Sequence, residues 1–174
     1  VWPDQLAFGT VIGLSKNDHP HDPAHFRPIT LFSTIYRAWA RLRTRQFIQQ
    51  MAVHMPPEAL GFLPKRETTE VWMMLQAQIE LMLQSQQDYA GLSTDLRRAF
   101  NHIGRPQVFM LATQLGLPEQ LLHPWEKFLV QFVRRFDVMG NLGEPQPSTS
   151  GFPEGCPLSI LAMLNVNWCY HVYM

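Results

Sequence analysis

The sequence predicts an α+β protein, helix-rich with short antiparallel strands. Two observations carry that expectation. Apolar residues recur at helical spacing in several long segments and lose that spacing in the shorter runs between them. The 14 prolines and 10 glycines scattered along 174 residues break the chain into short pieces. The resulting order is strand, helix, helix, strand, helix, helix, hairpin, helix. It contains no repeat and no interior linker, so residues 1–174 read as one domain or a piece of one.

Residues 6–15, LAFGTVIGLS, are apolar with Thr and Val and read as one or two short strands leading to Lys16. NDHPHDPAH then forms a loop. His19, His21 and His25 lie in it without a Cys or a second ligand pair, which favours an exposed turn over a metal site. From Thr30 the period becomes helical: Leu31, Ile35, Ala38 and Leu42 fall on one stripe, Phe32, Tyr36 and Trp39 lie beside it, and arginines take the remaining face. A second helix is signalled by Thr68 or Thr69 as cap, by Glu67 and Glu70 near the positive end of its dipole, and by Trp72, Leu75, Ile79 and Leu83 at helical spacing. Its Met and aromatic residues are expected in the core.

Residues 89–95, YAGLSTD, have no helical period and are expected to form a short strand with Asp95 at its end. Pro106 and Pro118 suit the first turns of two further helices. Gly116 closes the former, and Leu121, Leu122, Trp125, Phe128, Leu129 and Phe132 fill the latter. RRFDVMGNLGEPQPSTSG has the Gly and Pro clusters of a hairpin, and a last helix starts near Pro157.

A content of 46% hydrophobic and 11% aromatic residues excludes a disordered chain. The formal charge is zero, so no net field draws the chain to phosphates, but the distribution is uneven. Between Arg27 and Arg66 stand Arg27, Arg37, Arg41, Arg43, Arg45, Lys65 and Arg66 against the single acid Glu58. That basic stretch suits a polyanion, and equally a solvated face that binds nothing. Cys156 and Cys169, if on one helix, are about 20 Å apart, too far to bridge, and thiols in a reducing compartment are expected. VWPDQLAFGT is no signal sequence and no run approaches 18 apolar residues, so neither a leader nor a membrane span is expected and an intracellular setting, nuclear or cytoplasmic, follows.

Four stretches in register resemble the reverse transcriptase family, in the form carried by non-LTR retrotransposons and group II introns. RPITLFSTIYRAWARLRTR, residues 27–45, is similar to the block that opens Arg-Pro-Ile-Ser/Thr-Leu and runs into a helix ending in basic residues. GFLPKRET, residues 61–68, resembles the Gly-Phe block that follows. DLRRAFNHI, residues 95–103, resembles the Asp-Leu-x-x-Ala-Phe-Asp block with the first catalytic carboxylate. SGFPEGCPLSILAML, residues 150–164, is similar to the Gly-x-Pro-Gln-Gly-x-Pro-Leu-Ser block that opens a helix beneath the template and incoming base. Singly each is common helix-start chemistry, whereas their order and spacing together make the resemblance specific.

The resemblance implies a reverse-transcriptase-like fold, here the fingers and partial palm, and RNA-directed DNA synthesis with an RNA template, a DNA primer and deoxynucleoside triphosphates. It implies two Mg2+ ions, with Asp95 and the carbonyl of Leu96 among their ligands; such ions take hard oxygen ligands and activate the attacking hydroxyl. Phe100 is expected against the sugar of the incoming nucleotide, excluding a 2′-hydroxyl. Lys16 and Arg27 match positions that fold over the triphosphate, Lys as a point charge and Arg as a planar fork. Gly151, Pro153, Glu154 and Gly155 are expected close to the nascent base pair, and Arg37, Arg41 and Arg45 on the nucleic-acid backbone. Plain structural readings stand beside these: Asp95 as a helix cap, Phe100 as core filler, Lys16 as surface charge.

The chain contains no Asp-Asp turn of the kind that completes the family's metal site, and it stops inside the helix that begins near Pro157. The resemblance therefore implies a piece missing the last catalytic motif and the thumb, unable to extend a primer alone. Asn101 stands where Asp is usual and Glu154 where Gln is usual. Glu154 sets a negative charge near a triphosphate, which supports an alternative: a decayed or domesticated scaffold that binds nucleic acid or protein without catalysis. A viral RNA-dependent RNA polymerase is disfavoured by Phe100, since discriminating RNA needs a polar group at the 2′-hydroxyl.

Overall fold

The computed structural model describes residues 1–15, 25–91 and 93–173. Its centre is a five-stranded sheet. Strand β1, Phe8–Ser15, pairs antiparallel with β2, Phe26–Phe32, in a register that sets Gly9 opposite Phe32, Val11 opposite Thr30 and Gly13 opposite Pro28. On its other side β1 runs parallel to β3, Val133–Val138, with Gly9 opposite Arg134 and Val11 opposite Phe136. The two short strands β4, Asn141–Leu142, and β5, Gln146–Pro147, share the outer edge of β3, both antiparallel. The pairing is thus antiparallel as expected except at β1–β3, where the long excursion between the two strands permits a parallel crossover. The β3–β4 turn has Met139 and Gly140 both at positive φ, 53° and 83°, the conformation that keeps the twist of a two-residue hairpin.

Paired residues project from the same sheet face, so Gly9, Val11, Gly13, Pro28, Thr30, Phe32, Arg134 and Phe136 share one side. Near Gly9 this side is closed by the core. A Cβ on Gly9 would come within 2.7 Å of the Phe132 ring, so only glycine lets that ring lie on the strand.

Helix α1, Thr34–His54, begins on Ser33, whose hydroxyl accepts from the Tyr36 amide. Its buried stripe is Tyr36, Ala40, Thr44 and Met51, while Ile35 and Leu42 are exposed. The apolar stripe expected from Leu31 through Leu42 is therefore out of phase. Residues 30–32 belong to β2, and carrying a helical count back through them rotates the predicted face outward. Helix α2, Thr68–Gln84, is capped by Glu67 in a reciprocal box with Glu70, one place earlier than the threonines suggest. None of its side chains is buried, and Trp72, Met73 and Leu83 are largely exposed, which overturns the expectation that they are core. No strand forms over the described residues of 89–95. A strand needs a neighbour to pair its amides and carbonyls, and no described strand runs beside this one.

Four-residue α3, Ala99–His102, follows Arg98 at φ 51°; α4, Arg105–Gln114, carries Pro106 in its first turn and is closed by Gly116 at φ 78°. Pro118 caps α5, Glu119–Gln131, which buries Leu121, Leu122, Trp125, Phe128 and Leu129. Helix α6, Ser159–Tyr173, packs on α1 and α4 and buries Leu161 and Leu164. The aromatic rings of these elements fuse into one cluster: Tyr36 stacks on Phe128 with centroids 3.6 Å apart, and Trp2 meets Tyr36, Trp39 and Phe128 edge-on.

Candidate active site

The segment from Gly151 to Gly155 joins parts of the chain that are far apart in sequence. The Phe152 amide donates to the Phe100 carbonyl at 2.7 Å, and the Thr30 amide donates to the Glu154 carbonyl at 2.8 Å. The loop thereby lies against α3 on one side and continues the outer edge of β2 on the other. Two glycines make that approach possible. At φ 64°, a Cβ on Gly151 would sit 2.5 Å from the Asn101 carbonyl oxygen and 2.6 Å from that of Phe100; at φ 101°, one on Gly155 would sit 2.7 Å from the Thr30 carbonyl oxygen. Pro153 is buried, and its carbonyl accepts from the Ser159 hydroxyl at 3.1 Å, tying the loop to the first residue of α6.

Glu154 is half-buried. Its Oε1 accepts a hydrogen bond from Asn101 Nδ2 at 3.1 Å. The two departures from the family blocks are thus bonded to each other. Both line a cavity of about 190 Å³ with Val11, Pro28, Thr30, Arg134, Phe136 and Pro153, between the open part of the sheet face and the loop. That is below the roughly 300 Å³ at which small-molecule sites begin, so the space suits part of a ligand and not a whole nucleotide.

Arg105, the first residue of α4, grips the loop from below. Its Nε donates to the Gly151 carbonyl at 2.7 Å, Nη1 to Leu129 at 3.0 Å, and Nη2 to Ser148 Oγ at 2.9 Å and to Ser150 at 3.3 Å. Burial lowers the guanidinium's pKa from its ordinary value, and nearby Arg134 lowers it further. The sequence reading missed this residue, although it held one signal: a cation at a helix N-terminus opposes the dipole and calls for compensating acceptors. A second anchor also went unread. Tyr36 Oη and Cys156 Sγ lie 3.1 Å apart in the core, joining α1 to the end of the loop. Burial raises the pKa of both, Tyr36 strongly, and the Cys156 thiol is partly offset by hydrogen bonds from Tyr36 and its backbone neighbours.

The other expected site residues are less closely gathered. Phe100 is half-buried, with its ring 6.5 Å from that of Phe62 and edge-on to it. Arg27 is exposed on β2, three positions from Thr30, about 10 Å along the strand. Asp95 and Leu96 are exposed in an irregular segment and not at a strand end. Among the described residues no group of three or more His, Cys, Asp or Glu side chains is placed to hold a metal ion. Asp95 is one hard ligand, part of what a magnesium site needs and not by itself a site. Lys16 lies outside the described residues, as do His19 and His21. Arg37, Arg41 and Arg45 are all exposed on successive turns of α1, and no helix of the described residues is long and apolar enough to cross a membrane.

A family model described as reverse transcriptase (RNA-dependent DNA polymerase) matches residues 14–167, a span that contains all four sequence blocks.

Proposed function

Because the chain belongs to the reverse transcriptase family of RNA-dependent DNA polymerases, we propose that it is the fingers and upper palm of a polymerase of the non-LTR retrotransposon and group II intron type, working on an RNA template with a DNA primer and deoxynucleoside triphosphates. The observation that carries this reading is the convergence of the blocks at residues 27–45, 95–103 and 150–164 at one loop, through the bonds Thr30–Glu154, Phe152–Phe100 and Asn101–Glu154. A polymerase must hold a base pair, a sugar and a phosphate chain at once. A glycine-flanked loop pressed on an aromatic turn and on the strand that carries Arg27 offers a surface for each.

In this reading Asp95, with the Leu96 carbonyl, contributes oxygen ligands to a divalent ion, which supplies Lewis-acid activation of the primer hydroxyl when bound. Phe100 takes the sugar and leaves no room for a 2′-hydroxyl. Arg27 and Lys16 take phosphate charge. Arg37, Arg41 and Arg45 follow the nucleic-acid backbone. The test is template-directed incorporation by the protein as its gene encodes it. RNA-templated addition of deoxynucleotides is expected, lost in Asp95→Asn and extended to ribonucleotides in Phe100→Ala. Near-normal rates in the Asp95 variant would remove Asp95 from the chemistry, and rejection of ribonucleotides by the Phe100 variant would remove Phe100 from the sugar.

A further inference from the structure

We propose that Asn101 and Glu154 act as one positioning pair that sets the distance between the Gly151–Gly155 loop and the face that α3 and β2 present to it. The inference rests on the nucleotide-binding reading of that loop. The pair is the one side-chain bond from α3 to the loop among the described residues, and it is flanked by two backbone bonds. Phe152 to the Phe100 carbonyl lies on the α3 side, and Thr30 to the Glu154 carbonyl on the β2 side. Residue 154 is therefore held by its side chain to α3 and by its backbone to β2. Releasing the side chain leaves residue 154 tied through its carbonyl to β2 and no longer through its side chain to α3.

The bond needs one donor and one acceptor and is indifferent to which side supplies them. An amide at 101 with a carboxylate at 154 does this, and so does a carboxylate at 101 with an amide at 154. Two carboxylates do not: at the observed 3.1 Å separation they cannot both stay ionised, so the pair shares a proton or parts. The charged groups around them are few. Among the described residues, Arg134 of β3 is the one cation lining the same cavity, Arg105 of α4 is committed to the loop carbonyls, Arg27 of β2 is exposed at a distance along its strand, and His102 of α3 lines a different, more open hollow with Leu96 and Gln107.

The test is amide hydrogen exchange at Thr30 and Phe152 in the 174-residue chain, comparing wild type, Asn101→Asp, and the exchanged pair Asn101→Asp with Glu154→Gln. In Asn101→Asp at about pH 8, where both carboxylates ionise, protection should fall about tenfold, the worth of roughly one hydrogen bond, and should return near pH 5 as one of them takes a proton. The exchanged pair should match wild type at both pH values. Wild-type protection in Asn101→Asp near pH 8, or an exchanged pair no better protected than the single variant, overturns the proposal. Should Asn101→Asp fail to fold, the exchanged pair still decides, since recovery of a folded chain by the second substitution requires the two sites to act together.

Nucleotide binding separates this proposal from the reading beneath it. In the polymerase reaction of the protein as its gene encodes it, Asn101→Asp should raise the apparent KM for deoxynucleotides several-fold with little change in kcat, and the exchanged pair should restore it, because the loss is one of position shared by bound substrate and transition state. Exchange rates that behave as expected while KM does not move would leave the pair standing and remove the nucleotide from this loop.

Discussion

Arg105 shows how much one side chain can hold. Four of its five N–H groups are committed, to carbonyls or a hydroxyl in α5 and in the segment from Ser148 to Gly151. Arg105→Ala strands those acceptors, part of them away from water, and should destabilise the chain by about 2–4 kcal/mol. Arg105→Lys should recover less than half of that, because an ammonium group cannot span the fork of acceptors. Urea midpoints of the three proteins measure this, and equal stability of Lys and Arg would mean that charge alone matters. Glu154 carries the opposite lesson. Read alone it is an anion near a triphosphate and a sign of decay, whereas its bond to Asn101, 53 positions away, makes it half of a matched pair. The scaffold reading loses its main ground at that bond. No pattern of spacing within one sequence reveals a contact made through tertiary folding.

At the scale of elements, the helices of the second half were legible because their boundaries are local chemistry: Pro106 and Pro118 at starts, Gly116 at a stop, and a single apolar face in α5. The first half misled where two periods abut. In α1 the true face is set from Tyr36 onward, and the exposed side interleaves Ile35 and Leu42 with Arg37, Arg41 and Arg45. Every phosphate left without its cation should flatten the slope of log affinity against log salt by about 0.7–0.9. Charge-removing substitutions at Arg41 and Arg45 therefore test the stripe on an RNA–DNA hybrid, and an unaltered slope would return it to solvent. Helix α2 misled differently, since an apolar sequence states what a helix could bury and not what covers it. Leu83→Ala should cost this chain under about 0.5 kcal/mol, whereas Leu121→Ala should cost about 2–5, a contrast that thermal or urea melts can read.

Across the whole molecule, one aromatic cluster links the N-terminal Trp2, β2 through Phe32, α1 through Tyr36, α5 through Phe128, and Phe132 just past the end of α5. The loop joins this cluster through Tyr36 and Cys156, so the candidate site and the global core share a buried pair of ionisable groups. Burial raises the pKa of both, which means that the folded chain keeps a neutral thiol and phenol at pH values where the unfolded chain has begun to lose those protons. The sign follows from linkage. Stability from the thiol is complete below its unfolded pKa, about 8.5, and declines as pH rises from there toward the higher folded value, at up to about 1.4 kcal/mol per pH unit. The phenol adds a second decline starting near its own unfolded value, about 10. Cys156→Ser keeps a hydroxyl within reach of Tyr36 and removes the thiol titration. Its unfolding midpoint, though lower at neutral pH, should therefore hold level between about pH 8.5 and 9.5, where the wild-type midpoint falls. Parallel curves for the two proteins across that window would mean that the thiol is exposed to water in the folded chain, and that the tie between α1 and the loop is not closed in solution.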